Sequence, residues 1–407
     1  MGCLYKTIRL YRGMTKKEVC ASVVVSRQYL STLEDTVDYL SISKTMNDKL
    51  QRTFHFTLDQ DQALIEYFIG LRNEFVRACL FVQNQKAIET AEKLHGCADR
   101  IMNTTYFPEY LLLRLIEMVV LKHQDSELSV ILNTLDKIKF HFDPKTRQLY
   151  YFILSVYELD VLELEKAEQH LFEAYSMSND PHLQSIICFF QAKVALITDN
   201  SLESLSFVMK ARELFDSTCN YRRSIQCISF LGKIWMHIGD FKGAATYCHE
   251  AIKAASTMDY HIVVASNYRI LSWIYLQDGE YQKSIDAAYK ASQLGESDSM
   301  MCFHAAFASW KNQDISQMSR WISSGLNKSG NDSALTKKLL SALRRLEKDA
   351  SLEENVLLSM MKIMDNAKIK DLDLLRLLHY ELAMLYKNKE EYEPALAFYE
   401  KYYSYKS

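Results

Sequence analysis

Between residues 26 and 32 the chain reads SRQYLST, in which Ser26, Arg27, Gln28, Ser31 and Thr32 all carry hydrogen-bonding side chains. If Leu30 and Leu33 turn inward on a helix, these five point outward. In a duplex major groove arginine pairs with guanine and glutamine with adenine through two hydrogen bonds, so the pattern is one for reading base edges. Lys16 is placed to hold the phosphate backbone beside them. A second set is Gln226, Lys233, His237, Arg269, Trp273 and Gln277, which helical phasing from Gly232 and Ser272 brings to one face. Its polar members suit a peptide backbone, and Trp273 an apolar anchor. No catalytic, metal or cofactor set accompanies them: HExxH, GxxxxGK[ST], GxSxG and GxGxxG are absent, and the eleven histidines are scattered.

The elements that must position these residues are helices. The 407 residues hold only 11 Gly and 4 Pro beside a hydrophobic fraction of 48%, which favours helices joined by short connections over β-sandwich or α/β architectures. The nine cysteines have no CxxC spacing and read as small buried hydrophobes in a reducing compartment. No long uninterrupted apolar run offers a membrane span or signal peptide, so a cytoplasmic protein without a membrane partner is expected. Charge is uneven. Through Phe56 there are nine Lys and Arg against five acids, a net of +4, so the remainder carries −7 of the overall −3. Only the basic head is suited to a polyanion.

Four short helices fit that head. The first carries Leu4, Ile8 and Leu10 and ends near Gly13; Thr15 caps the second, with Glu18 at capping-box spacing; Ser26 caps the third. The run IRLYRGMTKKEV…VSRQYLSTLE resembles the lambda-repressor/XRE-type helix-turn-helix. The resemblance implies that Ser26, Arg27, Gln28, Ser31 and Thr32 face bases or nearby phosphates of double-stranded DNA and that Lys16 holds the backbone. Two positions depart from the pattern, Val24 and Thr36 standing where that family has glycine. A β-branched residue where φ > 0 is favoured costs stability.

From about residue 58 the chain is a series of helix pairs. In residues 228–252, Leu231, Gly232, Trp235, Gly239, Phe241, Ala244 and Ala251 follow the tetratricopeptide spacing, and Gly279 repeats Gly239 after 40 residues. A third good copy has Leu382, Ala383, Tyr386, Tyr392, Ala395 and Tyr399. With the weaker copies, six to nine pairs are expected. The fold predicted is all-α: a helix-turn-helix bundle over 1–57 followed by a right-handed tetratricopeptide-like α-solenoid over 58–407.

A basic head on such repeats resembles the peptide-pheromone receptors of the Rgg/PlcR/NprR (RRNPP) group. That implies a homodimeric, non-enzymatic regulator of quorum-sensing type, whose repeats bind a short signalling peptide. The group's groove-facing asparagine positions are filled here by Phe230, Ile270, His304 and Glu381. Two roles stay open: a peptide-controlled DNA-binding regulator, or a Rap-like protein that binds a response regulator while its degenerate head merely packs. The aromatic C-terminus FYEKYYSYKS is expected to meet a second subunit, since a terminal repeat ordinarily has a polar outer face.

Overall fold

The computed structural model describes residues 2–35, 42–123, 125–177, 180–295, 297–328, 333–367 and 371–404, and among these it contains no strand. Thr36 lies outside them. The chain divides into two compact units, Met1–Arg223 and Ser224–Ser407.

The first unit opens with a four-helix head of α1 (Gly2–Tyr11), α2 (Lys16–Val23), α3 (Arg27–Asp35) and α4 (Lys44–Thr53). Helix pairs follow: α5 (Gln62–Leu80) with α6 (Asn84–Gly96), a single turn α7 (Ala98–Ile101), and α8 (Phe107–Val120) with α9 (Leu128–Ile138). The last two pairs are α10 (Pro144–Asp160) with α11 (Leu164–Ser176), and α12 (Pro181–Ile197) with α13 (Ser201–Ser217). The head expected over 1–57 packs on these repeats through α1. Tyr11 donates to Glu127 at 2.9 Å and meets Phe107 edge-on, and Lys6 lies 3.4 Å from His141. Further on, Asn220 and Arg223 donate to the Leu80 carbonyl at 3.3 and 3.2 Å, covering acceptors that the last turn of α5 leaves open.

The second unit begins within α14 (Tyr221–Ile238), paired with α15 (Phe241–Ser256). It continues with α16 (His261–Gln277) and α17 (Tyr281–Gln293), then α18 (Ser299–Lys311) and α19 (Ile315–Leu326). The pairs α20 (Ser333–Leu343) with α21 (Glu353–Asp365), and α22 (Leu372–Asn388) with α23 (Tyr392–Ser404), close it. The described residues thus form nine pairs, the upper end of the expected range.

One turn is repeated in seven of these pairs. A left-handed residue follows the first helix: Val82, Leu162, Asp199, Gly239, Gly279, Gln313 or Glu390, with φ between 56° and 92°. The next residue then donates its N–H to the carbonyl five positions back, as Asp240 does to Trp235 at 3.0 Å and Glu163 to Glu158 at 2.8 Å. This is the 6→1 bond of a Schellman turn, and it satisfies carbonyls a helix end otherwise leaves open. Below five of these turns the paired helices touch through small side chains twelve residues apart. Ala192 and Ser204, Ser272 and Ser284, and Ala383 and Ala395 are all buried. At Gly232 an added Cβ would lie 2.7 Å from Cys248 Sγ and 3.2 Å from the Ala244 carbonyl, so the close approach of α14 and α15 requires glycine there.

Candidate functional site

Two places hold the residues singled out by the sequence. In the head, Thr15 accepts from the Glu18 N–H at 3.2 Å while its own N–H donates to the Glu18 carboxylate at 2.7 Å, the reciprocal capping box. Helix α2 ends at Val24, which is left-handed (φ 64°, ψ 57°). Ser26 Oγ accepts from the Tyr29 N–H at 3.1 Å and so starts α3. Leu30 and Leu33 are buried, while Ser26, Arg27, Gln28 and Thr32 are exposed together on the outer face. Ser31 and Lys16 are tied inward: Lys16 Nζ donates to Ser31 Oγ at 2.7 Å and lies 3.7 Å from Glu34 Oε2. Glu34 is 1% exposed, and its carboxylate takes both Arg9 Nη2 (2.8 Å) and Nε. This buried fork fixes α3 on α1.

The strained Val24 gives a local prediction. A β-branched residue in the left-handed region costs about 1–2 kcal/mol, and the Val24 side chain, 83% exposed, gains little packing in return. Val24→Gly is expected to raise head stability by about 1 kcal/mol in chemical denaturation. An unchanged or lower midpoint contradicts this.

In the second unit the expected groove residues fall into two groups. Arg269 and Trp273 of α16 lie against His304 of α18, and Lys233 of α14 faces Arg269. Trp273 stacks on His304 with ring centroids 4.3 Å apart, and both are buried. Arg269 Nη1 donates to Asp298 Oδ2 at 3.1 Å. Lys233 is half-buried and, among the described residues, is paired with no carboxylate; burial, then the Arg269 charge, pushes its pKa down to about 8. The same two causes push His304 down to about 3, so its ring is neutral, and its buried Nδ1 has no hydrogen-bond partner. Gln226 donates to the Tyr260 hydroxyl at 2.9 Å.

His237 and Gln277 are engaged elsewhere, by the start of α22. Gln277 Nε2 donates to the Asp373 carbonyl at 2.9 Å, and His237 Nδ1 lies 3.5 Å from Asp373 Oδ1. Arg376, 2% exposed, donates to the His237 carbonyl at 3.0 Å and to Asp373 at 3.2 Å. Asp373 and Arg376 carried no sequence signal, because their partners lie more than ninety residues away. His304 had one: it occupies a groove-facing position where the resembled group has asparagine.

The helix pairs with their repeated turn define a tetratricopeptide-like helical-repeat protein, and among the described residues no helix is long and apolar enough to cross a membrane. No family model and no curated protein matches the sequence. Solved structures do match. A Rap protein complexed with competence and sporulation factor aligns at TM-score 0.68 and 16% identity, covering 84% of this chain and 98% of that one. The apo quorum sensor NprR from B. thuringiensis aligns at 0.62 and 19%, covering 84% and 99%. NprR with its cognate peptide NprX aligns at 0.60 and 16%, covering 84% and 97%. Aspartyl phosphate phosphatase F from Bacillus subtilis aligns at 0.52 and 14%, covering 86% and 96%. At such identities the likeness is one of fold: this chain has the Rap/NprR fold.

Proposed function

We propose that the chain is a non-enzymatic, cytoplasmic, peptide-responsive regulator that binds double-stranded DNA through a helix-turn-helix formed by α2 and α3, within a DNA-binding head over 1–57. The observation that carries this reading is the outer face of α3, where Arg27, Gln28 and Thr32 stand exposed together on a helix anchored by the Arg9–Glu34 fork. A short signalling peptide occupies the face of the repeats bearing Lys233, Arg269 and Trp273. NprR is an argument for this, since it has the same fold and takes a cognate peptide. A ligand that binds one conformer better than the other shifts the chain between them and so changes how two heads meet DNA. Selection from a randomised duplex pool with the purified chain tests the DNA reading. A recurring motif of about one half-site per head is expected; a pool that stays random overturns it.

The Rap-like alternative, binding of a response regulator, is favoured by one observation: α1 is docked on α8 and α9 through Tyr11 and Lys6, as a packing-only head would be. It predicts capture of a receiver domain and no selected motif.

The homodimer we propose uses the outer face of α23. Tyr392, Leu396 and Tyr403 are each at least 60% exposed on it, an apolar and aromatic patch suited to a second copy of the chain. Sedimentation velocity is expected to show a dimer for the native chain and a monomer for Leu396→Glu/Tyr403→Glu. A monomeric native chain overturns the proposal.

A further inference from the structure

Lys233, His304 and their neighbours have more to say about what the groove takes. Lys233 of α14 faces Arg269 of α16 and Cys248 of α15 and is only partly buried, so part of its surface stays open to a ligand. A desolvated ammonium ordinarily acquires a carboxylate partner, and none of the described residues supplies one. The nearby acid Asp298 is committed twice, accepting from Arg269 at 3.1 Å and from the Met301 N–H at 2.6 Å as the cap of α18. His304 adds a buried ring nitrogen with no hydrogen-bond partner, held in place by Trp273. The titratable groups facing Lys233 are Arg269 from α16 and the Cys248 thiol from α15; the thiol is itself pushed up to about 12 by burial and so is neutral.

We infer that Lys233, with Arg269 beside it and the Trp273–His304 stack next to Arg269, is a carboxylate-binding subsite that selects peptides carrying a free C-terminus or an acidic side chain. The inference rests on the peptide reading above and narrows it from any short peptide to one with a negative group at this position. The ammonium supplies a charge-assisted hydrogen bond to the carboxylate. The buried Trp273–His304 stack keeps the adjoining wall apolar and uncharged. The sign of the pH dependence follows. The subsite needs the protonated lysine, whose pKa in the empty groove is about 8, so selectivity holds at pH 7 and falls as pH rises above 8.

The test uses the full chain and three heptapeptide pools whose random positions omit Asp and Glu: a free-acid pool, a C-amidated pool, and a C-amidated pool with one fixed Glu. Peptides retained through gel filtration are counted by mass spectrometry. At pH 7 at least one carboxylate-bearing pool is expected to be retained about tenfold or more over the neutral amidated pool. Which pool it is distinguishes a terminal from a side-chain carboxylate. Lys233→Met is expected to bring the preference to about one, and Lys233→Arg to keep most of it, with thermal unfolding of both close to the native chain. Equal retention of all pools, or a preference untouched in a folded Lys233→Met variant, overturns the subsite while leaving peptide binding intact. Retention of no pool at all overturns the peptide reading itself, and the subsite falls with it.

Discussion

Replacing Arg27 and Gln28 together by alanine is expected to abolish specific duplex binding while leaving the fold unchanged. Both side chains are exposed on α3 and make no packing contribution that alanine would forfeit. Each bidentate base contact is worth about 1–3 kcal/mol, so losing two lowers affinity for a selected duplex by about 30-fold to over ten-thousand-fold. The residual binding should be non-specific and fall steeply with salt, because phosphate contacts survive. Fluorescence anisotropy on the selected duplex at several salt concentrations makes the measurement. Native affinity in the double variant would mean that α3 does not read bases and would favour the packing-only head.

The second large effect concerns Arg9. Its guanidinium, 6% exposed, forks onto a Glu34 carboxylate that is 1% exposed, and Arg9 Nη1 also donates to the Met14 carbonyl at 3.2 Å. Arg9→Met leaves a buried carboxylate with only Lys16, 3.7 Å away, for compensation. Breaking a buried pair from one side costs about 3–5 kcal/mol, a large share of what stabilises a four-helix head. The expected result is loss of DNA binding with Arg27 and Gln28 intact, together with an early unfolding transition from the head. Arg9→Met/Glu34→Met should recover most of the stability, since removing both charges leaves neither unpaired. If the single variant unfolds like the native chain, the fork does not hold α3 in place.

The head was legible because its signals are local. Thr15 and Glu18 are three residues apart, Ser26 stands directly before its helix, and Val24 falls where the left-handed turn is required. The repeats were legible in proportion to their glycines. Gly239 and Gly279 announce the shared turn and Asp199 hints at it, but Val82, Leu162, Gln313 and Glu390 take the same left-handed geometry with nothing in their side chains to reveal it. Tertiary packing imposes that conformation against local preference, so the weaker copies look irregular in sequence and alike in structure. Phasing placed six residues on one face, and three of them, Lys233, Arg269 and Trp273, stand on adjacent first helices. It could not foresee that α22 would claim His237 and Gln277, a contact closed by Asp373 and Arg376 about a hundred residues further on.

The central claim is that one chain couples what its repeats bind to where its head sits on DNA. Genome-wide DNA enrichment with the native chain, in dilute and in dense culture and beside Arg27→Ala/Gln28→Ala, tests it most directly. The account predicts discrete peaks that change in height between the two densities and vanish in the double variant. Maps that stay empty at both densities, or peaks that persist unchanged in the variant, would contradict it.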